Sequence, residues 1–220
     1  MSGRLAFNGG TFNEVTTVEQ TGGSNTPGTG GVTFNSTTSI TNSGTAYLLF
    51  ANASPDIFNG DLTLLNSGAG TIRLSQNVAG NMFDGDITVN STDGGGIYFG
   101  DGGGTSTLSA GQTINIGVDG YNDGDLRFYN FTQLGATPID IELTADAILR
   151  IGNSNEFGGA FTGRSPQIYV FESTFLSDVI LEKTGSTNDY SIGGSFFEGD
   201  TELINSSDGY FVMGNGNPDE

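Results

Sequence analysis

Three sets of side chains in this sequence are of kinds that bind or react. The first is Arg73, Tyr98, Arg127, Arg150 and Tyr169, each the middle residue of an apolar–polar–apolar triplet such as Ile72-Arg73-Leu74. A guanidinium grips a carboxylate through paired N–H bonds, and cations and sugar rings pack on aromatic faces, so this set suits an acidic glycan. The alternative is a solvated face carrying ordinary cross-strand pairs. The second set is Asp61, Asp86, Asp178 and Asp200, each shortly after a Phe and ahead of an alternating run. Calcium favours such carboxylate oxygens, whereas the structural alternative has each Asp holding backbone N–H groups in a turn. The third set is Asp140, Glu142 and Asp146, because carboxylates alone can run glycoside hydrolysis. Asp140 and Glu142 alternate on an expected strand, however, and outward acids are common in so acidic a chain. There is no His and no Cys, which removes the usual nucleophile–base pairs and any thiolate metal site. Gly100-Asp101-Gly102-Gly103-Gly104 has no Lys after it and no helix to open, so it is not a phosphate loop. The expectation is a protein that is not an enzyme.

Any such side chains must be positioned by a repeat. Phe58-Asn59-Gly60-Asp61-Leu62-Thr63-Leu64 returns as Phe83-Asp84-Gly85-Asp86-Ile87-Thr88-Val89 and as Phe197-Glu198-Gly199-Asp200-Thr201-Glu202-Leu203. Weaker copies start at Phe12, Phe34, Phe157 and Phe175, with Leu108 and Ile139 standing in for Phe in two more. After each alternating run comes a turn, typically Asn-Ser-Gly, and then the triplet strand. Period-two patterning reads as half-buried strand, and no segment sustains a helical period. Two short strands per unit, in about nine units, predict an all-β, right-handed parallel β-helix (β-solenoid) of about nine coils. An antiparallel sandwich or barrel is the alternative fold. The Phe column is expected inside, stacked from coil to coil. The outward triplet position is expected to continue through Leu49, Ser191 and Val212.

Composition agrees with this reading. Leu, Ile, Val and Phe make up about a quarter of the 220 residues, enough to bury a core, and the 37 Gly supply turns. The only basic residues are Arg4, Arg73, Arg127, Arg150, Arg164 and Lys183, against 25 acidic ones, a net charge of -19. Such a chain repels nucleic acid and anionic lipid, so neither is expected as a partner. No run of about 20 apolar residues is present. Residues 1–20 lack the pattern of a signal peptide, so a secreted parent is expected to carry its signal elsewhere.

A longer period lies above the unit. Residues 12–56 align without a gap to residues 175–219, an offset of 163 residues, with 15 of 45 positions identical. The shared Glu-x-Thr-Gly, Gly-Gly-x-x-Phe and Asn-x-x-Pro-Asp patterns are the most specific matches. Residues 1–220 are therefore expected to be a single solenoid segment, one super-repeat and the start of the next, cut from a longer array.

With Phe-Asn-Gly-Asp-x-Thr, Asn-Ser-Gly and Gly-Gly-Gly-Thr-Ser-Thr-Leu (residues 102–108), the chain resembles tandem repeats of giant secreted surface proteins of Bacteroidetes. It is similar, more loosely, to autotransporter passengers and filamentous haemagglutinin segments. The resemblance implies extracellular display at a cell surface and an adhesin-like or stalk role, and it transfers no catalytic residue. Two functions follow as expectations: a structural spacer whose partners are neighbouring repeats, or an adhesive module binding acidic glycan through the Arg/Tyr stripe. No cofactor is required by either, with calcium at the Asp column as the one candidate.

Overall fold

The computed structural model describes residues 5–25 and 28–220; Arg4 lies outside them. The chain winds into a β-solenoid of nine coils, its paired strands parallel, and among the described residues there is no helix. At about 4.8 Å per coil the stack is about 43 Å long.

Each full coil carries three strands, not the two expected, and so the rod has three faces. Face I is one nine-stranded sheet whose strands end on the Phe column, among them Gly30–Phe34, Ile57–Phe58, Asn81–Phe83, Phe131–Gln133, Asn155–Phe157 and Ser173–Phe175. Face II holds the alternating runs, such as Thr38–Asn42, Leu62–Asn66 and Ile87–Ser91. Face III holds the triplets, from Leu48–Leu49 through Ile72–Leu74, Ile97–Phe99, Asp125–Tyr129 and Ile148–Gly152 to Gln167–Val170. Face I was missed because its strands are short and pair an inward Asn or Ser with the inward Phe, which reads as turn.

The Phe column forms as expected over most of its length. Phe12, Phe34, Phe58, Phe83 and Leu108 pair in register, as do Phe157, Phe175 and Phe197. Neighbouring rings lie nearly parallel at 4.9 Å for Phe34–Phe58, 5.4 Å for Phe58–Phe83 and 5.1 Å for Phe175–Phe197. Phe12 is 37% exposed and Phe197 half-buried, because each lies in an end coil. Ile139 does not stand in the column; it lies on face II, paired with Phe161. Its expected place is held by Gln133, which pairs with Leu108 and Phe157. Gln133 is buried because its amide is satisfied: Nε2 donates to Thr137 O at 2.6 Å, and Oε1 accepts from Gly159 N–H at 3.2 Å. The nearby Phe131 ring, 5.9 Å from Phe157, supplies the aromatic bulk.

The corners explain the recurring polar residues. At the II-to-III corner an inward side chain donates to the carbonyl four residues on: Asn42 to Ala46, Asn66 to Gly70, Ser91 to Gly95, Tyr121 to Asp125 and Asn205 to Gly209. That is the role of Asn in Asn-Ser-Gly, and it satisfies a buried carbonyl that would otherwise destabilise the turn. Gly70 follows because a Cβ there would collide with the Ala46 carbonyl. At the III-to-I corner each coil places a residue in the left-handed region: Gly30, Ala51, Ser75, Gly100, Asn130, Asn153, Glu172, Gly193 and Gly214. Buried Asp56 ties this corner to its neighbour, accepting from Val32 N–H at 2.8 Å and Ala51 N–H at 2.7 Å. Burial raises its pKa, although those N–H groups work in the opposite direction.

Face II is interrupted once. The strand Ile114–Tyr121 is eight residues long and bulges against Ile87–Ser91, so that Ser91 pairs with Tyr121 and Val118 projects into solvent. The bulge divides this face into a five-stranded and a four-stranded sheet.

Candidate outward ladder on face III

The triplet strands of face III bring the expected stripe together. Register pairs Arg73 with Tyr98, Tyr98 with Arg127, Arg127 with Arg150, and Arg150 with Tyr169. The residues flanking each in its triplet point inward and are buried, which fixes the middle residue on the outer side. Beyond Tyr169 the expected column slips. Ser191 is fully buried, and its neighbours Tyr190 and Ile192 are 47% and 54% exposed. Polar residues turn inward here because Asp189 Oδ2 accepts from Ile168 N–H and Ser191 Oγ from Val170 N–H, at 2.8 and 3.0 Å. Tyr190 then pairs with the half-buried Val212. At the other end Leu49 continues the column, paired with Arg73 between the inward Leu48 and Phe50, but it is covered and only 7% exposed.

The stripe is more than a row of cations. Arg127 lies over two rings, its guanidinium carbon 4.0 Å from the centre of Tyr98 and 5.1 Å from Tyr129. Arg73 is 5.0 Å from Tyr47 and 5.6 Å from Tyr98, and Arg150 is 4.3 Å from Tyr169. Two carboxylates bridge the cations. Asp101 meets Arg73 at 3.3 Å and Arg127 at 3.4 Å; Asp125 meets Arg127 at 2.9 Å and Arg150 at 2.7 Å. The result is one continuous network of three cations, two anions and four rings.

Burial gives this network weight. The Arg127 side chain is 19% exposed and that of Asp125 15%. Burial disfavours the Arg127 charge, but the hydrogen bond it donates to Asp125 and the surrounding rings outweigh it, and the pKa is raised overall. Burial likewise raises Tyr98 and Tyr169, the nearby arginines opposing it. Sequence reading missed Tyr47, Tyr129, Asp101 and Asp125. Asp125 and Tyr129 were within reach, since each lies two residues from Arg127 on one strand and must share its side. Asp101 sits on a corner, where period two gives no guidance.

The other two sets are placed differently. Asp61 Oδ1 accepts from Asp86 N–H at 3.1 Å, Asp86 Oδ1 from Thr113 N–H at 2.9 Å, and Asp178 Oδ1 from Asp200 N–H at 3.0 Å. Each carboxylate therefore caps backbone on the next coil, an inter-coil version of the turn role. Among the described residues no group of three or more His, Cys, Asp or Glu is gathered where an ion could be held. Asp140 and Glu142 do share the outer side of Ile139–Glu142. Glu142 is engaged by Arg164 at 2.6 Å, and Arg164 also reaches Glu182 at 3.0 Å.

Comparison with known proteins found no family model, no curated protein and no solved structure that matches this chain.

Proposed function

We propose that this chain is a non-enzymatic, rod-forming spacer of a large secreted, cell-surface repeat protein, adhesin-like in setting, that works without a cofactor. Its partners in this reading are neighbouring repeats of the same protein. One observation carries it: the stripe that looked like a glycan site is engaged with itself. The edges of Arg73, Arg127 and Arg150 meet Asp101 and Asp125, and their faces meet Tyr47, Tyr98, Tyr129 and Tyr169. A polysaccharide carboxylate would have to displace these internal partners while approaching a chain of net charge -19. The network instead serves the rod, linking six successive coils on its outer side, from Tyr47 to Tyr169.

The test is binding of acidic polysaccharides, such as polyuronates, to the full chain immobilised at high density, where avidity reveals weak contacts. Measured at low salt, the expected result is no saturable binding. Saturable binding that disappears when Arg73, Arg127 and Arg150 are all changed to Ser would replace the spacer with the adhesive reading.

A further inference from the structure

The 163-residue offset relates individual bonds as well as residues. Val32 N–H donates to Asp56 and Ser195 N–H to Asp219, both at 2.8 Å. Tyr47 N–H donates to Asn25 at 3.1 Å and Tyr210 N–H to Asn188 at 2.9 Å. The bridge between Gly30 and Ser54 returns between Gly193 and Asn217. Strands obey the same shift, Thr38–Asn42 becoming Thr201–Asn205 and Leu48–Leu49 becoming Phe211–Val212. With coils numbered by their face I strands, Asn8–Phe12 opening coil 1, Gly30–Phe34 coil 2, Ile57–Phe58 coil 3, Ser173–Phe175 coil 8 and Phe196–Phe197 coil 9, coils 8 and 9 repeat coils 1 and 2.

What differs is the cover. Coil 3 buries Phe34, Ile40 and Leu48 completely and leaves Phe50 1% exposed. Their counterparts are Phe197, Leu203, Phe211 and Met213. Leu203 is 46% exposed, and with Phe197, Thr201 and Met213 it lines an apolar depression at the end of the rod. The strands Phe196–Phe197, Thr201–Asn205 and Phe211–Val212 are the outermost of their sheets. Residue 220 keeps the register of the stack. Glu220 N–H donates to Ser195 O at 2.9 Å and Phe197 N–H to Glu220 O at 2.8 Å, so Glu220 lies over Phe196 as Ile57 lies over Thr33.

We infer that the open face of coil 9 is a docking surface for a coil of the third type, a segment of the same polypeptide patterned like residues 58–80. Phe58 would then stack on Phe197, and Leu62, Leu64 and Ile72 would cover Thr201, Leu203 and Phe211, as they cover Thr38, Ile40 and Leu48 now. The rod would lengthen in units of seven coils, about 34 Å each. A second copy of the chain offers coil 1, the counterpart of coil 8, which follows a coil of the seventh type; head-to-tail docking of intact chains is therefore out of sequence. The inference deepens the spacer reading by naming what adds to the rod and in which register.

The experiment appends the chain's own residues 58–80 after Glu220 and compares this protein with one carrying the same residues scrambled. In coil 2, Thr38, Leu48 and Phe50 donate their N–H groups to Asp61, Thr71 and Arg73 of coil 3. The counterparts Thr201, Phe211 and Met213 should therefore exchange their amide protons about tenfold or more slowly with the native extension only, and its melting temperature should exceed that of the scrambled form. Equal exchange in the two proteins would overturn the inference, as would head-to-tail association of the unextended chain that protects the same three amides. Neither result touches glycan binding, so the spacer reading stands or falls separately.

Discussion

Phe58 and Phe83 stack 5.4 Å apart inside the rod, and Arg127 and Tyr98 stack 4.0 Å apart on its outer face. Both contacts exist because parallel strands in register bring like positions of successive coils together. Their energetics differ. The inner rings are dry, and each contributes through the large apolar area it removes from water. The outer groups keep some exposure, and their charges are balanced by Asp101 and Asp125 rather than removed. The same stacking therefore stabilises by burial in one ladder and by mutual compensation in the other. Only the inner ladder is indifferent to salt, because exposed and half-buried charges are screened.

The largest expected effect lies in the inner ladder. Phe83 is 1% exposed and contacts Phe58 and Phe99. Phe83→Ala should destabilise by about 3–5 kcal/mol in denaturant unfolding, from lost transfer energy and a cavity that rigid coils cannot close. A loss under about 1 kcal/mol would remove Phe83 from the core and erase the contrast between the ladders.

A smaller effect is expected where the inner ladder is polar. Gln133→Leu would restore an apolar residue to the column but leave Thr137 C=O and Gly159 N–H without their partner. A net loss of about 1–3 kcal/mol is expected, since an unpaired buried polar group outweighs the added apolar surface. A gain in stability would mean that the column tolerates any residue of the right size and that the amide bonds are incidental.

These two sites also show what could be read in the sequence. The Phe, Leu and Ile positions of faces II and III were legible because inward residues there are apolar and alternate. Face I was legible as a Phe column but not as a strand, because Asn81, Asn155 and Ser173 face inward beside Phe and are satisfied by hydrogen bonds to neighbouring coils, which no local pattern encodes. The substitution of Gln133 for Phe depends on Thr137 and Gly159, the latter a coil away, so Ile139 was the better local match. In the outer stripe Arg73, Tyr98, Arg127, Arg150 and Tyr169 followed from period two alone. At Ser191 the same rule failed, because a one-residue slip exchanges the faces and because Asp189 and Ser191 turn inward to hold the N–H groups of Ile168 and Val170. The partners Asp101 and Tyr47 lie on corners, whose lengths vary between coils.

The account depends most on the claim that the stripe's cations are engaged with the protein's own carboxylates. The direct measurement is a double-mutant cycle on Arg127 and Asp125, whose groups meet at 2.9 Å, using Arg127→Ala, Asp125→Ala and the double variant in denaturant unfolding at low salt. Coupling of about 1 kcal/mol or more is expected, above the range of most exposed pairs because both groups are largely buried, and it should shrink as salt is raised. A coupling within about 0.3 kcal/mol of zero would contradict the account, leaving the arginines free for an external partner.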